Sequence, residues 1–325
     1  MIPLPVLPEG RPGCPEVVTV GEAMVLLLAA DGVPLAEATT FHRRIGGAEA
    51  NVATGLVRLG HSAAWISRVG DDPFGRAVLL RLRGEGVDVS RVRVVAGGRT
   101  GLMVRDRPEG GGPVEVLYHR AGSAAAGLDA GDVDDALVAG ARLVLLTGIT
   151  PALSPSCREA ATAMVDTAGR HGVPVVLDAN LRLRLWTVAD AVPVVRALVE
   201  RSAMVLAGAD EAEALTGCAD PEAAGRALLN LGPRLAVVKC GADGVVAVTA
   251  DGTLRMPAHP ARVVDPVGAG DAWAAGLLSA LLEDLDLGAA LARGARAAAH
   301  AVATPGDLEA MPYPADLGDH PDVRR

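Results

Sequence analysis

The chain has 325 residues, half of them hydrophobic but only 2% aromatic, and a formal net charge of −9. That length supports one large α/β domain or two smaller ones, with a core that Ala, Val and Leu must build. The negative balance, with no basic run or tract of stacking aromatics, speaks against nucleic acid or an anionic membrane surface as the main partner, and no apolar run is long enough to cross a bilayer.

Residues 1–16 are proline-rich, lack the basic and apolar regions of a signal peptide, and are expected to form a disordered leader. Residues 17–20 open as a strand and 64–69 form a second. Compact apolar runs at 143–146, 173–178, 204–207 and 235–239 follow, as expected of strands buried on both faces. Between them, 48–59, 74–85, 154–171 and 221–231 carry helical periodicity, and 291–303 reads as a late helix with a solvated charged face. This alternation predicts an α/β fold, a mostly parallel sheet covered by helices, with a body from 17 to 312.

Two segments break the rhythm. Residues from about 28 to 44 and from about 100 to 120 alternate like strands without an intervening helix, and the second contains the turn-rich run 106–113. They suit a small accessory β-sheet, a candidate lid for an enzyme that must exclude water. Residues 313–325 read as a weakly ordered tail. Cys14, Cys157, Cys218 and Cys240 are scattered, with no CxxC and no histidine at metal-ligand spacing, so they read as reduced thiols of a cytoplasmic protein.

The chemistry concentrates in residues 265–271, Asp-Pro-Val-Gly-Ala-Gly-Asp, followed at once by an apolar helical run. Gly268, Ala269 and Gly270 let consecutive N–H groups converge on one anion at the positive end of a helix dipole. Asp271 would face that site. A carboxylate beside an anion makes sense if it takes a proton from a hydroxyl that then attacks phosphorus. By itself the septet fits a simple helix cap equally well.

Other segments are weaker alone. Gly46 and Gly47 precede a helix that carries Asn51 one turn in, where an amide can serve sugar hydroxyls. The stretch Lys239, Cys240, Gly241, Ala242, Asp243, Gly244 closes a strand near the septet and fits either a nucleotide pocket or a tight β-turn. Neither a P-loop nor GxGxxG is present. Residues 178–186 lie just beyond a buried strand, where α/β proteins place ligands, and Arg182 there could grip a carboxylate bidentately.

In order and spacing, these segments resemble the ribokinase-like carbohydrate kinases of the phosphofructokinase-B family, from about residue 17 to 312. The septet looks like that family's C-terminal signature, 46–51 with Gly60 like its N-terminal one, and 69–75 like the loop that follows. Residues 21–25, 47–53, 118–124, 148–154, 178–186 and 306–307 are similar to the 2-keto-3-deoxygluconate kinases within it. The resemblance implies a ribokinase-like three-layer α/β/α core with a small β-sheet lid, and ATP-dependent phosphorylation of a sugar acid's terminal hydroxyl. Asp271 would be the base. Gly47, Asn51, Tyr118, Arg120, Arg182 and Asp307 would contact the sugar, Arg120 and Arg182 closing on its carboxylate from two sides.

By the same resemblance, Asn180, Glu211, Lys239–Gly244 and 268–270 would serve the nucleotide. Mg2+ is implied as cofactor, a homodimer or higher homo-oligomer as assembly, and the metal-holding residues and any monovalent cation stay open. Three positions depart from the pattern. Gly208 stands where many relatives carry Asn or Ser, Ala295 where the late helix often supplies Asn, and His119 where a second aromatic is common. The alternatives are a kinase for a neutral ketose, pentose or nucleoside, and a sugar-sensing protein of the same fold with weakened catalysis.

Overall fold

The computed structural model describes residues 7–30, 32–106 and 114–318. In chain order the strands are β1 (Val17–Val20), β2 (Met24–Ala29), β3 (Phe41–Gly46), β4 (Ala63–Gly70), β5 (Val92–Val95), β6 (Leu102–Arg105), β7 (Val116–His119), β8 (Leu143–Thr147), β9 (Val175–Asp178), β10 (Met204–Gly208), β11 (Leu235–Lys239), β12 (Val245–Thr249) and β13 (Gly252–Met256). The helices are α1 (Ala48–Arg58), α2 (Pro73–Glu85), α3 (Asp135–Gly140), α4 (Ile149–Leu153), α5 (Pro155–His171), α6 (Val188–Val199), α7 (Ala209–Thr216), α8 (Pro221–Leu229), α9 (Ala269–Leu282) and α10 (Leu287–Val302).

Nine strands form the main sheet, in the order β13-β12-β11-β10-β9-β8-β1-β4-β5. Every pair from β11 to β5 is parallel, and β12 and β13 close one edge as an antiparallel ribbon. Successive strand side chains point to opposite faces, so each buried strand feeds two cores. Val17, Leu145, Val176, Leu206 and Val237 pack with α1, α2, α9 and α10 on one face. Val18, Val144, Leu177, Val205 and Ala236 pack with α5, α6, α7 and α8 on the other. This is the expected three-layer architecture.

Helix boundaries follow local chemistry. The Asp72 side chain accepts from Gly75 N–H at the start of α2, and Ser154 does the same for Cys157 at the start of α5, each ahead of a proline in the first turn. Helix α9 is buried along its length from Ala272 onward, so its apolar residues need no amphipathic stripe. Gly276 and Gly294 let α9 and α10 approach closely: a Cβ on Gly276 would sit 2.9 Å from Ala297 Cβ.

The lid is a separate four-stranded sheet, in the order β3-β2-β6-β7. Its strands occupy 24–29, 41–46, 102–105 and 116–119, so the accessory sheet starts four residues before the expected boundary and takes in Gly46. The sheet is mixed, β2 pairing parallel with β6 and antiparallel with β3. Its base is tied to the body by Asp72, which accepts from Thr100 N–H (2.8 Å) and Thr100 Oγ1 (2.9 Å).

Residues 7–16, expected in a disordered leader, instead lie along the body. Leu7 is buried, Arg11 N–H donates to Gly140 C=O, and Arg142 Nε donates to Pro8 C=O. Proline content suggested disorder, but these backbone groups find partners at the amino-terminal edge of the sheet. At the other end, Leu317 is buried within the short turn Pro314–Leu317. The expected turn at 107–113, the first six residues and 319–325 lie outside the described residues.

Candidate active site

The carboxyl ends of β1, β8, β9, β10 and β11 converge beneath the lid, where parallel α/β sheets carry their ligands. A cavity of about 510 Å3 opens there, walled by Glu22, Gly47, Asn51, Tyr118, Arg120, Asp178, Asn180, Arg182, Gly208, Glu211, Gly268, Asp271 and Asp307, among others. A second, mostly apolar cavity of about 560 Å3 adjoins it between β12, β13 and α10. Lys239, Pro266 and Gly270 line both, so the two meet at the start of α9.

That helix start is built by Gly268, which adopts φ +82°, a conformation open to glycine at little cost. The first intrahelical bond runs from Ala272 N–H to Gly268 C=O. The N–H groups of Ala269, Gly270 and Asp271 therefore have no acceptor among the described residues, and they sit at the positive end of α9. Asp265 fixes the approach to the turn, accepting from Val267 N–H and Gly306 N–H at 3.2 Å each.

Asp271 lines the first cavity next to Gly270, where the two cavities meet. Asn51 Nδ2 donates to its Oδ2 at 2.8 Å, while Asn51 Oδ1 is buried without a protein partner. Burial, followed by the Asp178 and Asp307 charges, pushes the Asp271 pKa up to about 7 against the opposing pull of Asn51 and Arg182. Asp307 rises to about 6: burial dominates, Asp265 and Glu309 add to it, and Arg105 and Arg182 oppose.

A partly buried charge triad, Asp178, Glu211 and Lys239, lies on the wall of the first cavity. Lys239 Nζ donates to both oxygens of Asp178, at 3.0 and 2.8 Å. Burial works against the Lys239 charge, but Asp178, Glu211 and Asp271 outweigh it and hold its pKa above the usual lysine value. Glu211 accepts from Gly208 N–H (2.7 Å) and Leu181 N–H (2.8 Å), and its pKa is pushed up by burial with Asp178 facing it.

Gly47 and Gly46 owe their identity to close contacts. A Cβ at Gly47 would lie 2.3 Å from Glu22 C=O, and one at Gly46 would lie 2.4 Å from Asp307 Oδ2. The expected sugar-side residues Gly47, Asn51, Tyr118, Arg120, Arg182 and Asp307 all line the first cavity. Asn180 and Glu211 line that same cavity rather than the apolar one. Lys239, Gly241, Ala242, Gly244 and Ala295 line the second, whereas Cys240 and Asp243 are absent from both walls.

The two-armed cationic grip does not form as expected. Arg120 is committed to buried Glu22, with Nε at 2.7 Å and Nη2 at 2.5 Å from Oε2, and Ser123 Oγ donates to the other oxygen. Its guanidinium also lies 5.7 Å from the Tyr118 ring centroid. A charge facing inward from a lid strand invites a buried partner, and Glu22 supplies it. Arg182 makes no ion pair among the described residues and is exposed at the cavity wall.

Sequence reasoning missed Glu22, Arg105 and the side-chain role of Asp265. Glu22 directly follows a β-strand and a glycine, and Arg105 ends the otherwise apolar strand β6. A buried-charge search along predicted strands would have flagged both. No group of three or more His, Cys, Asp or Glu side chains among the described residues could hold a metal on its own. No helix among them is long and apolar enough to cross a membrane.

Two cavities that meet at a helix start with free N–H groups, beside a carboxyl group titrating near neutrality, define a kinase for a small hydroxylic substrate. Residues 15–314 match the pfkB family of carbohydrate kinases, and the chain belongs to that family. It is therefore a phosphotransferase of the sugar-kinase class, which implies ATP use, with Mg2+ typical of the family. It is 35% identical over 301 residues to the 2-dehydro-3-deoxygluconokinase of Bacillus subtilis (strain 168), covering 91% of this chain and 92% of the relative. The 2-dehydro-3-deoxygluconokinase of Thermoproteus tenax is also 35% identical, over 304 residues and 92% of each chain. A crystal structure of a PfkB protein from Polaromonas sp. JS666 superposes with a TM-score of 0.86 at 39% identity, covering 94% of this chain and 100% of that one.

Proposed function

We propose that this kinase transfers the γ-phosphoryl group of ATP to the terminal hydroxyl of 2-dehydro-3-deoxygluconate (2-keto-3-deoxygluconate), giving the 6-phosphate. The observation that carries the sugar-acid choice is Arg182, a guanidinium without an ion pair among the described residues, on the wall of the cavity that holds Asp271. Such a fork grips a carboxylate bidentately. The names of the two 2-dehydro-3-deoxygluconokinases above point the same way. The Glu22–Arg120 pair would suit a neutral sugar as well, so Arg182 carries the discrimination.

In this reading the sugar lies between Gly47, Asn51, Tyr118, Arg182 and Asp307, and Arg120 presents its guanidinium edge from the lid. Asn51 holds Asp271 in place, and Asp271 takes the proton of the terminal hydroxyl as its oxygen attacks the γ-phosphorus in line. N–H groups of Ala269, Gly270 and Asp271 meet the charge on the transferred group, a contribution commonly about 10²–10³ in rate per donor. The adenosine end occupies the apolar cavity walled by Gly241, Ala242, Gly244 and Ala295.

When bound, Mg2+ would neutralise phosphate charge in this reaction. Asp178, Asn180 and Glu211, which line the first cavity, would be the residues that hold it through water. A coupled ADP-release screen across sugar acids and neutral ketoses tests the reading. It expects turnover on 2-dehydro-3-deoxygluconate at least tenfold above any neutral ketose, and preference for a neutral ketose would reject it. The four free cysteines fit a cytoplasmic enzyme. Sedimentation and a potassium titration of the rate would test the expected homo-oligomer and monovalent-cation requirement.

A further inference from the structure

Arg105 is a charge in the interior of the lid. It ends β6, the strand that pairs on one side with β2 at Leu28 and on the other with β7 at Val116. Its side chain is 2% exposed. Both terminal nitrogens leave the lid for the septet: Nη1 donates to Asp265 Oδ1 at 2.9 Å and Nη2 to Oδ2 at 2.7 Å. Nη2 also lies 3.5 Å from Asp307 Oδ1, which has no hydrogen-bond partner among the described residues. Asp265 in turn accepts from Val267 and Gly306, the segments on either side of the helix start.

One guanidinium thus joins three pieces of chain. These are a lid strand, the turn that offers N–H groups to the phosphoryl group, and the 306–307 segment that lines the sugar cavity. We propose that Arg105 is a positioning residue that clamps the lid to both flanks of the anion turn and sets the Asp307 carboxylate for the sugar. The proposal rests on the reading that Asp307 contacts the sugar. A bidentate pair at a buried site fixes orientation as a single contact cannot.

The charges around Asp307 give the clamp a second consequence. Arg105 from β6 and Arg182 from the loop after β9 favour its ionised form. Asp265 before α9 and Glu309 two residues on disfavour it, and Asp307 in turn faces Asp271 in α9. Glu309 is itself held by Arg44 of β3 and Arg81 of α2. Arg105 is the leading influence after burial, so removing it moves Asp307 further above its value of about 6. Sugar binding that needs an ionised Asp307 then weakens most on the acid side.

The test is direct sugar binding by calorimetry at pH 6 and pH 8, in the Asp271→Asn background, which removes the titration of Asp271 itself. Arg105→Met strands Asp265 as an unpaired buried charge, so Arg105→Met/Asp265→Asn is also measured, against Asp265→Asn alone because losing that charge itself favours ionised Asp307, to keep a folded protein in the comparison. The expected result is at least a tenfold rise in Kd at pH 6 and a distinctly smaller rise at pH 8. Arg105→Lys, which keeps the charge without the fork, recovers the pH 8 affinity only in part. Wild-type affinity at both pH values, or an equal loss at both, would overturn the proposal. Asp307→Asn separates the two layers of inference: if it binds sugar as wild type does, the reading of Asp307 fails, whatever Arg105 does.

Discussion

Asn51 Nδ2 donates to Asp271 Oδ2 at 2.8 Å, joining the first turn of α1 to the first turn of α9 across 220 residues of chain. The bond orients the carboxylate at the mouth of the anion turn and partly offsets the cost of burying its charge. Burial and the nearby Asp178 and Asp307 charges still win, leaving Asp271 at about 7. The residue proposed as base is therefore poised near neutral pH, where proton transfer is most effective. Its activity should follow an acid limb: kcat/KM falls tenfold per unit as pH drops below about 7, because the protonated acid cannot accept the hydroxyl proton. A kcat/KM for the sugar that is independent of pH between 5 and 8 would contradict this assignment.

Asp271→Asn keeps the shape and removes the base. Turnover should fall by about 10²–10⁴ while the sugar Kd stays within a few-fold of wild type. Stability should move oppositely. The folded protein holds this proton up to about pH 7 while the unfolded chain releases it near the ordinary aspartate value, so wild-type stability declines as pH rises through that window. The variant lacks this loss and should melt at a higher temperature than wild type at pH 8. Near wild-type kcat in a folded variant would remove Asp271 from the mechanism.

Much of this was legible in the sequence because parallel sheets write themselves in local patterns. The runs that became β8, β9, β10 and β11 are short, apolar and evenly spaced, and their polar followers at 178–182, 208–211 and 239–244 fall at strand ends by topology alone. The septet declared its turn through Gly268 and Gly270. The pairings were not legible. Glu22 with Arg120 spans 98 residues and Arg105 with Asp265 spans 160, and no local pattern encodes a partner at that distance. Residues 7–16 misled for a related reason, since their hydrogen bonds end on residues near 140.

Arg182 is an exposed cation of the cavity proposed to hold the sugar and makes no ion pair among the described residues, so its removal should be read in the substrate's charge. Arg182→Leu should raise KM for 2-dehydro-3-deoxygluconate by tenfold or more and change KM for a neutral ketose little. Steady-state kinetics on both substrates decides the matter, and equal effects would mean that Arg182 holds no carboxylate.

The Glu22–Arg120 pair is buried on the Glu22 side, at 1% side-chain exposure. Arg120→Leu leaves that carboxylate with Ser123 as its remaining side-chain partner and should cost about 3–5 kcal/mol in urea unfolding. Adding Glu22→Gln should recover most of the loss, because the stranded charge is gone. If the double variant were as unstable as the single one, the pair would matter for packing rather than charge.

Gly46 closes β3 at the point where Asp307 presses against the backbone. A Cβ there would lie 2.4 Å from Asp307 Oδ2 and 2.4 Å from Met103 Cε. Met103 is the flexible end of a long side chain and can turn aside. The carboxylate has less freedom, because residue 306 is bonded to Asp265 and a Cβ at Gly306 would meet Glu309 at 2.8 Å. Gly46→Ala should therefore displace Asp307 from the cavity proposed for the sugar while leaving the apolar cavity proposed for the nucleotide intact. The expected signature is a rise of tenfold or more in sugar KM with KM for ATP within about twofold of wild type. A parallel rise in both constants would show that the whole lid had shifted instead.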